Sequence, residues 1–302
     1  MTESASRSLE CAHRTPLLAD HAHGLKRVLW LTALFLLVEA AAGWIANSLA
    51  LLADAGHMLA DVAALGLALF VGWAARRPAT AERTYGYLRL EIFAALVNGA
   101  ALLALAGGIA WEAIARLRQP PVVESRILFG VGAAGLVVNL ISMRLLHHGH
   151  EHSLNLRGAY LHVLGDFLGS AGAMAAGAII FFTDWTPADA LISVIMALLI
   201  VWSGGGLVRE SVEILLEATP RHISLQEVEQ RIARIPGVRD VHDLHVWTLT
   251  SGVVAMSGHA LVGDPAANQR VLETVQGEMA ELGIRHVTMQ LEKDDTCADG
   301  KL

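Results

Sequence analysis

The feature that most constrains this chain is a succession of six long apolar runs between Val28 and Leu207, which charged residues largely avoid. A helix needs about 20 predominantly apolar residues to cross the hydrocarbon core of a bilayer. The runs at 26–47, 49–73, 88–114, 127–146, 156–182 and 187–208 meet that length, so six membrane helices are expected. Composition agrees: 54% of the 302 residues are hydrophobic, 17% are charged and the mean hydropathy is +0.48. The net charge of -7 argues against a nucleic-acid partner, and two cysteines in polar tails, Cys11 and Cys297, indicate no disulfide framework. The first 25 residues contain no apolar core before Leu25, so no cleavable signal is expected there.

The links between the runs alternate in charge. Lys26 and Arg27 open the first run, Arg76, Arg77 and Arg83 lie between the second and third with Arg89 at the start of the third, and Arg144 and Arg157 flank the fourth link. The first and fifth links carry no Lys or Arg. The positive-inside rule then places both termini in the cytoplasm of a bacterial inner membrane, with Arg116, Arg118 and Arg126 running against it.

Inside the second run stands Ser48-Leu-Ala-Leu-Leu-Ala-Asp54-Ala-Gly-His57-Met-Leu-Ala-Asp61. On a helix His57 and Asp61 share one face at i and i+4, with Asp54 a turn earlier. The spacing recurs in the fifth run as His162-Val-Leu-Gly-Asp166. Such groups cost several kcal/mol in lipid unless something pairs with them. Two imidazoles and two carboxylates are the ligand set of a four-coordinate zinc site. Gly165, Gly169, Ala173 and Gly177 form a small-residue ridge on the fifth run, suited to close approach of another helix and expected to bring His162 and Asp166 to His57 and Asp61. Glu39, Asn47 and Asn139 are expected as interhelical hydrogen-bond partners, and Arg89 and Glu91 as partners of charges at the membrane–cytoplasm boundary.

Residues 1–25 read as a flexible cytoplasmic arm containing Cys11, His13, His21 and His23, for which a loose polar tail is a commoner explanation than a metal role. The link after the fourth run holds His147, His148, His150 and His152, a pattern suited to weak metal capture at the cytoplasmic mouth. The membrane region is thus placed at 26–210 and a soluble domain at 211–293, followed by an acidic tail at 294–302. The soluble part reads as helix 225–235, strands 238–250 and 253–262 joined at Ser251-Gly252, helix 266–282 and strand 285–292. This α-β-β-α-β order is that of a small α+β, ferredoxin-like domain.

Four motifs together resemble the cation diffusion facilitator family, in its bacterial zinc-exporter branch related to the animal vesicular zinc transporters. They are Ser48–Asp61, Tyr85-Gly-Tyr-Leu-Arg-Leu-Glu91, His162-x-x-x-Asp166, and Val241-His-Asp-Leu-His-Val-Trp247. The resemblance spans about residues 25–292 and implies a homodimeric, proton-coupled Zn2+ exporter with six membrane helices and a cytoplasmic metal-binding domain. It places His57, Asp61, His162 and Asp166 on the transport site, with His57 where some relatives have Asp. It also places His242, His259, His286 and Glu292 near regulatory metal positions of the soluble domain, and Gln290 where some relatives have a further histidine. His242 and His245 face opposite sides of a regular strand, so both can serve one site only across a bulge. Cys297 is single where vesicular relatives carry a pair. Metal binding needs neutral imidazoles and ionised carboxylates, so protons compete with the metal, and imidazole is suited to this exchange near neutral pH. A membrane metalloenzyme would need an open coordination position and a general base. With four positions filled by the two pairs, a non-enzymatic transporter is the expectation; a metal sensor, with the membrane part as mere anchor, would not retain costly buried ligands.

Overall fold

The computed structural model of the protein describes residues 17–75, 80–147 and 154–293, without the side chains of 17–29, 68, 69, 72, 75, 145–147 and 154–162. Cys11, His13, His148, His150, His152 and Cys297 lie outside the described residues, and His21, His23, His147 and His162 are placed only as helix backbone.

Six long helices come first: α1 (Leu17–Ala46), α2 (Leu49–Ala75), α3 (Leu90–Arg118), α4 (Ser125–His147), α5 (Leu154–Thr183) and α6 (Pro187–Leu215). Among the described residues, the last five each contain a stretch long and apolar enough to cross a membrane, and α1 contains the shorter apolar stretch Trp30–Ala46. The chain is an α-helical membrane protein, with five apolar helices of spanning length and one with a shorter apolar stretch among the described residues, followed by a small α+β domain. Two ends differ from expectation. α1 begins at Leu17, inside the stretch read as a flexible arm, and α6 continues to Leu215 past the boundary drawn at 210. In α6 the apolar pattern stops near Val208, but Arg209 and Glu213 pair at 2.9 Å one turn apart and support the helix beyond it.

Packing divides the chain into two compact units. The first takes the chain up to Val62 and from Leu102 to Val201. Its core joins Leu49, Leu51, Leu102, Leu128, Ala173 and Met196 with their neighbours. Here α4 and α5 meet backbone to backbone: a Cβ at Gly132 would lie 2.6 Å from the Met174 nitrogen, and one at Gly177 only 2.5 Å from that of Phe129. Where lipid supplies no hydrophobic drive between helices, such close contact through small residues holds the bundle together. Trp30, Trp44 and Trp111 stand exposed on the outside, as lipid-facing side chains do.

The second unit takes Ala63–Ala101 and the chain from Trp202 onward. Its soluble part contains α7 (Leu225–Ala233), β1 (Val238–Thr250), β2 (Val253–Val262), a single 3₁₀ turn at Pro265–Ala267, α8 (Asn268–Glu281) and β3 (Ile284–Glu292). Ser224 caps α7 by accepting the Glu227 amide at 3.4 Å, and Gly237 takes φ +105° where the chain turns into β1. The sheet order is β1-β2-β3, with β1 antiparallel and β3 parallel to the central β2. Val228 and Ile232 of α7, and Val271, Val275 and Met279 of α8, recur at four-residue spacing and are wholly buried in a core with Met256 and Ile284. In α6, Gly205 and Gly206 stand where an added Cβ would meet nothing within 4 Å.

Candidate metal centres

Among the described residues, each unit carries a constellation of histidines and carboxylates. In the first, α2 stacks His57 and Asp61 one turn apart, with His57 Nε2 3.6 Å from Asp61 Oδ2. Both side chains are partly exposed, whereas Asp166 on α5 is buried. Asp54, one turn before His57, is also buried, and the charges of Asp166 and Asp61 both act on it. A Cβ at Gly169 would lie 2.9 Å from Asp54 Oδ1, so the missing side chain is what lets the α5 backbone stand against α2. Glu39 of α1 is wholly buried within electrostatic reach of Asp54 and Asp166, and Asn139 of α4 donates to Ser170 of α5 at 3.2 Å. Four carboxylates gathered in an apolar bundle repel one another, and a divalent cation or bound protons relieve that repulsion. His162 lies one helical turn before Asp166 in α5.

The small-residue ridge on α5 does not serve one neighbour. Gly169 faces Asp54 of α2, but Gly177 packs on Phe129 of α4, and a Cβ at Gly165 would meet nothing within 4 Å. Two straight helices stay in contact over only a few turns, so one ridge meets two partners along its length.

In the second unit the sheet builds the other constellation. His242 of β1 pairs in register with His259 of β2, which pairs with Gln290 of β3. Cross-strand partners share a face, and the two-residue period carries Glu292 to the same face as Gln290. The Glu292 carboxylate reaches both rings, 3.4 Å from His242 Nε2 and 3.3 Å from His259 Nδ1. One ligand atom from each of the three lies within 4.8 Å of the others. Ligands about 2.1 Å from a tetrahedral zinc stand about 3.4 Å apart, so a small inward movement fits them to the ion. Gln290 donates to Glu292 Oε1 at 2.6 Å and orients the carboxylate.

His286 does not join them. It pairs with Ala255, six residues up β3 from Glu292, which at about 3.3 Å per residue is roughly 20 Å along the strand. Its Nε2 instead lies 3.2 Å from the Tyr85 hydroxyl. A bulge does separate His242 from His245, where Asp243 adopts a left-handed φ of +49°. His245 stays exposed, 3.0 Å from Asp243, whose other oxygen is 3.8 Å from His259 Nε2. Asp243 is thus a neighbour of the site that alternation along a regular strand does not reveal. Arg89 pairs with Glu217 at 2.6 Å, while Glu91 takes the Thr250 hydroxyl rather than a charge.

Residues 25–216 match the model of the cation efflux transmembrane domain, and residues 220–294 match that of the cation efflux protein cytoplasmic domain. The chain is 44% identical over 276 residues to the zinc transporter ZitB of Escherichia coli, covering 90% of this chain and 88% of that protein. It is 44% identical over 280 residues to the cation efflux system protein CzcD of Alcaligenes sp., with the same shares covered. Identity is 41% over 265 residues to the cadmium, cobalt and zinc/H(+)-K(+) antiporter of Bacillus subtilis, covering 86% of this chain and 85% of that one. A solved structure of the metal-bound C-terminal domain of the CzcD transporter from Cupriavidus metallidurans is 40% identical, covering 23% of this chain and 99% of its own, with a TM-score of 0.22. With both of its parts matched in order, the chain belongs to the cation efflux family.

Proposed function

We propose that the protein exports divalent cations, Zn2+ first and cadmium and cobalt with it, from the cytoplasm in exchange for protons. The observation that carries this reading is the His57–Asp61 pair of α2, with the buried Asp166 of α5 acting on the same Asp54. His57, Asp61, His162 and Asp166 supply two nitrogens and two oxygens to the ion in transit. Protons arriving from the outer side neutralise the carboxylates and charge the imidazoles, which weakens the hold on the metal and releases it. The Zn2+ relatives named above and the H(+) in the name of the Bacillus subtilis protein support cargo and counter-ion alike.

His242, His259 and Glu292 hold a further Zn2+ in a regulatory role on the cytoplasmic side. The working form is a homodimer in the bacterial inner membrane, with both termini in the cytoplasm. The loop histidines from His147 to His152 gather metal at the entrance. The test is zinc transport by the reconstituted protein under an imposed pH gradient. Zinc uptake that follows the size and sign of the gradient supports the reading, and flux indifferent to it removes the proton from the mechanism.

A further inference from the structure

Asp189 lies in the first turn of α6, is 1% exposed, and gives both carboxylate oxygens to the start of α2. Its Oδ1 accepts the Ser48 hydroxyl at 2.6 Å and the Ala50 amide at 3.2 Å, and its Oδ2 accepts the Leu49 amide at 2.8 Å. Ser48 Oγ in turn accepts the Leu51 amide at 3.3 Å. The first amides of a helix have no carbonyl partner within it, and a carboxylate there makes charge-assisted bonds that also complement the helix dipole.

Arg116, at the end of α3, holds the same turn from another side. Its Nη1 lies 3.9 Å from Asp189 Oδ2 and donates to the Asn47 carbonyl at 2.7 Å, while its Nη2 donates to Asn47 Oδ1 at 3.1 Å. Asn47 has a φ of +51°, a left-handed conformation that asparagine tolerates, and its Nδ2 donates to the Val122 carbonyl at 3.2 Å. The turn between α1 and α2 is therefore bonded to α3, to α6 and to the link after α3.

We propose that Asp189 is a positioning residue for metal transport: by bonding the start of α2 from α6, it fixes the height and rotation of the helix that carries His57 and Asp61. The proposal rests on the transport-site reading above. His57 and Asp61 lie about 12 Å and 18 Å along the axis from Leu49, and a slip of one residue at the cap would turn both side chains by about 100°. A site with four ligands fixed within bond length of one ion does not survive such a rotation.

Zinc binding and flux of the full-length protein in proteoliposomes are compared for Asp189→Ala, Asp189→Asn, Ser48→Ala and His57→Ala. Folded Asp189→Ala should bind zinc roughly tenfold more weakly or worse, the loss typical of removing support behind a metal ligand, and should shift the zinc-to-cadmium flux ratio. Asp189→Asn keeps one acceptor oxygen and should recover part of both effects. Ser48→Ala removes the 2.6 Å bond and the Leu51 cap but leaves Asp189 on the Leu49 and Ala50 amides, and should move both the same way by less. A lowered melting temperature with wild-type affinity and wild-type metal ratio in Asp189→Ala overturns the proposal. Should that variant not fold, wild-type affinity and ratio in both folded milder variants overturn it equally. Wild-type binding and flux in His57→Ala bring down the transport-site reading itself, and the proposal with it, an outcome the Asp189 variants cannot mimic.

Discussion

His242 and His259 face each other across β1 and β2 with ring centroids 5.4 Å apart and planes at 81°, and Glu292 lies against both rings. Removing one imidazole leaves two ligands, too few to hold zinc against water. His259→Ala should therefore lose one zinc per protomer while the membrane ligands keep theirs. Isothermal titration of the full-length protein in detergent counts the sites; wild-type stoichiometry would take the three residues out of metal binding.

On the proposed transport site, Asp166→Ala deletes an anionic ligand whose partners remain, in a segment already held by the α4–α5 contact. Zinc flux should fall to the background of empty vesicles while the oligomer stays intact by size-exclusion chromatography. Near-normal flux from the folded variant would end the assignment of the transport site.

Metal preference should follow the ligand at position 57. Zinc favours compact tetrahedral coordination, and its nitrogen bonds of about 2.0–2.1 Å suit two imidazoles with two monodentate carboxylates. His57→Asp substitutes a carboxylate that binds through one or both oxygens, which accommodates a larger ion of higher coordination number. Cadmium should gain on zinc in mixed-metal flux, and the pH dependence of transport should move because one titratable imidazole is gone. An unchanged cadmium-to-zinc ratio in the folded variant would exclude His57 from selectivity.

Replacing His147, His148, His150 and His152 together should raise the zinc concentration for half-maximal flux and leave the maximal rate within about twofold. Weak ligands at an entrance enrich the ion locally and do not complete a buried site. A collapse of the rate at saturating zinc would instead place these residues in the translocation step.

Two glycines should respond oppositely to alanine. Gly177→Ala sets a Cβ 2.5 Å from the Phe129 amide nitrogen, where only backbone movement makes room, and should cost about 1–3 kcal/mol. Gly205→Ala meets nothing within 4 Å and should be neutral or stabilising by up to about 1 kcal/mol, since alanine is the better helix former. Thermal unfolding in one detergent compares them. Equal melting temperatures would mean that the α4–α5 contact is loose enough to absorb a methyl group.

How much of this was legible in the sequence varies with the range of the interaction. The pairing of His57 with Asp61 depends on one helical turn, and the strand bounds 238–250 and 253–262 depend on alternation and a Gly252 turn; all of these appear where expected. His242 and His259 were placed together by resemblance, and the register of β1 on β2 supplies the physical cause. The resemblance sets His286 near a regulatory position apart from that of Glu292, and the register of β3 on β2 gives the separation of the two. The partners of the α5 glycines were half visible, since a ridge of small residues marks close contact without naming the helix. Asp189 is not legible at this range. Its one local signal was a carboxylate in the first turn of a membrane span, and its partners Ser48 and Leu49 stand 141 and 140 positions away.

That separation has a consequence for how the protein is made. Synthesis at about 5–20 residues per second leaves roughly 7–28 s between the emergence of Leu49 and that of Asp189. During that interval α2 can already sit in the bilayer, yet the Leu49 and Ala50 amides wait for a partner that has not been translated. The start of the helix that carries His57 and Asp61 is therefore capped last, when the final span arrives. A nascent chain truncated before α6 carries His57 and Asp61 on a helix whose first amides still lack the Asp189 carboxylate.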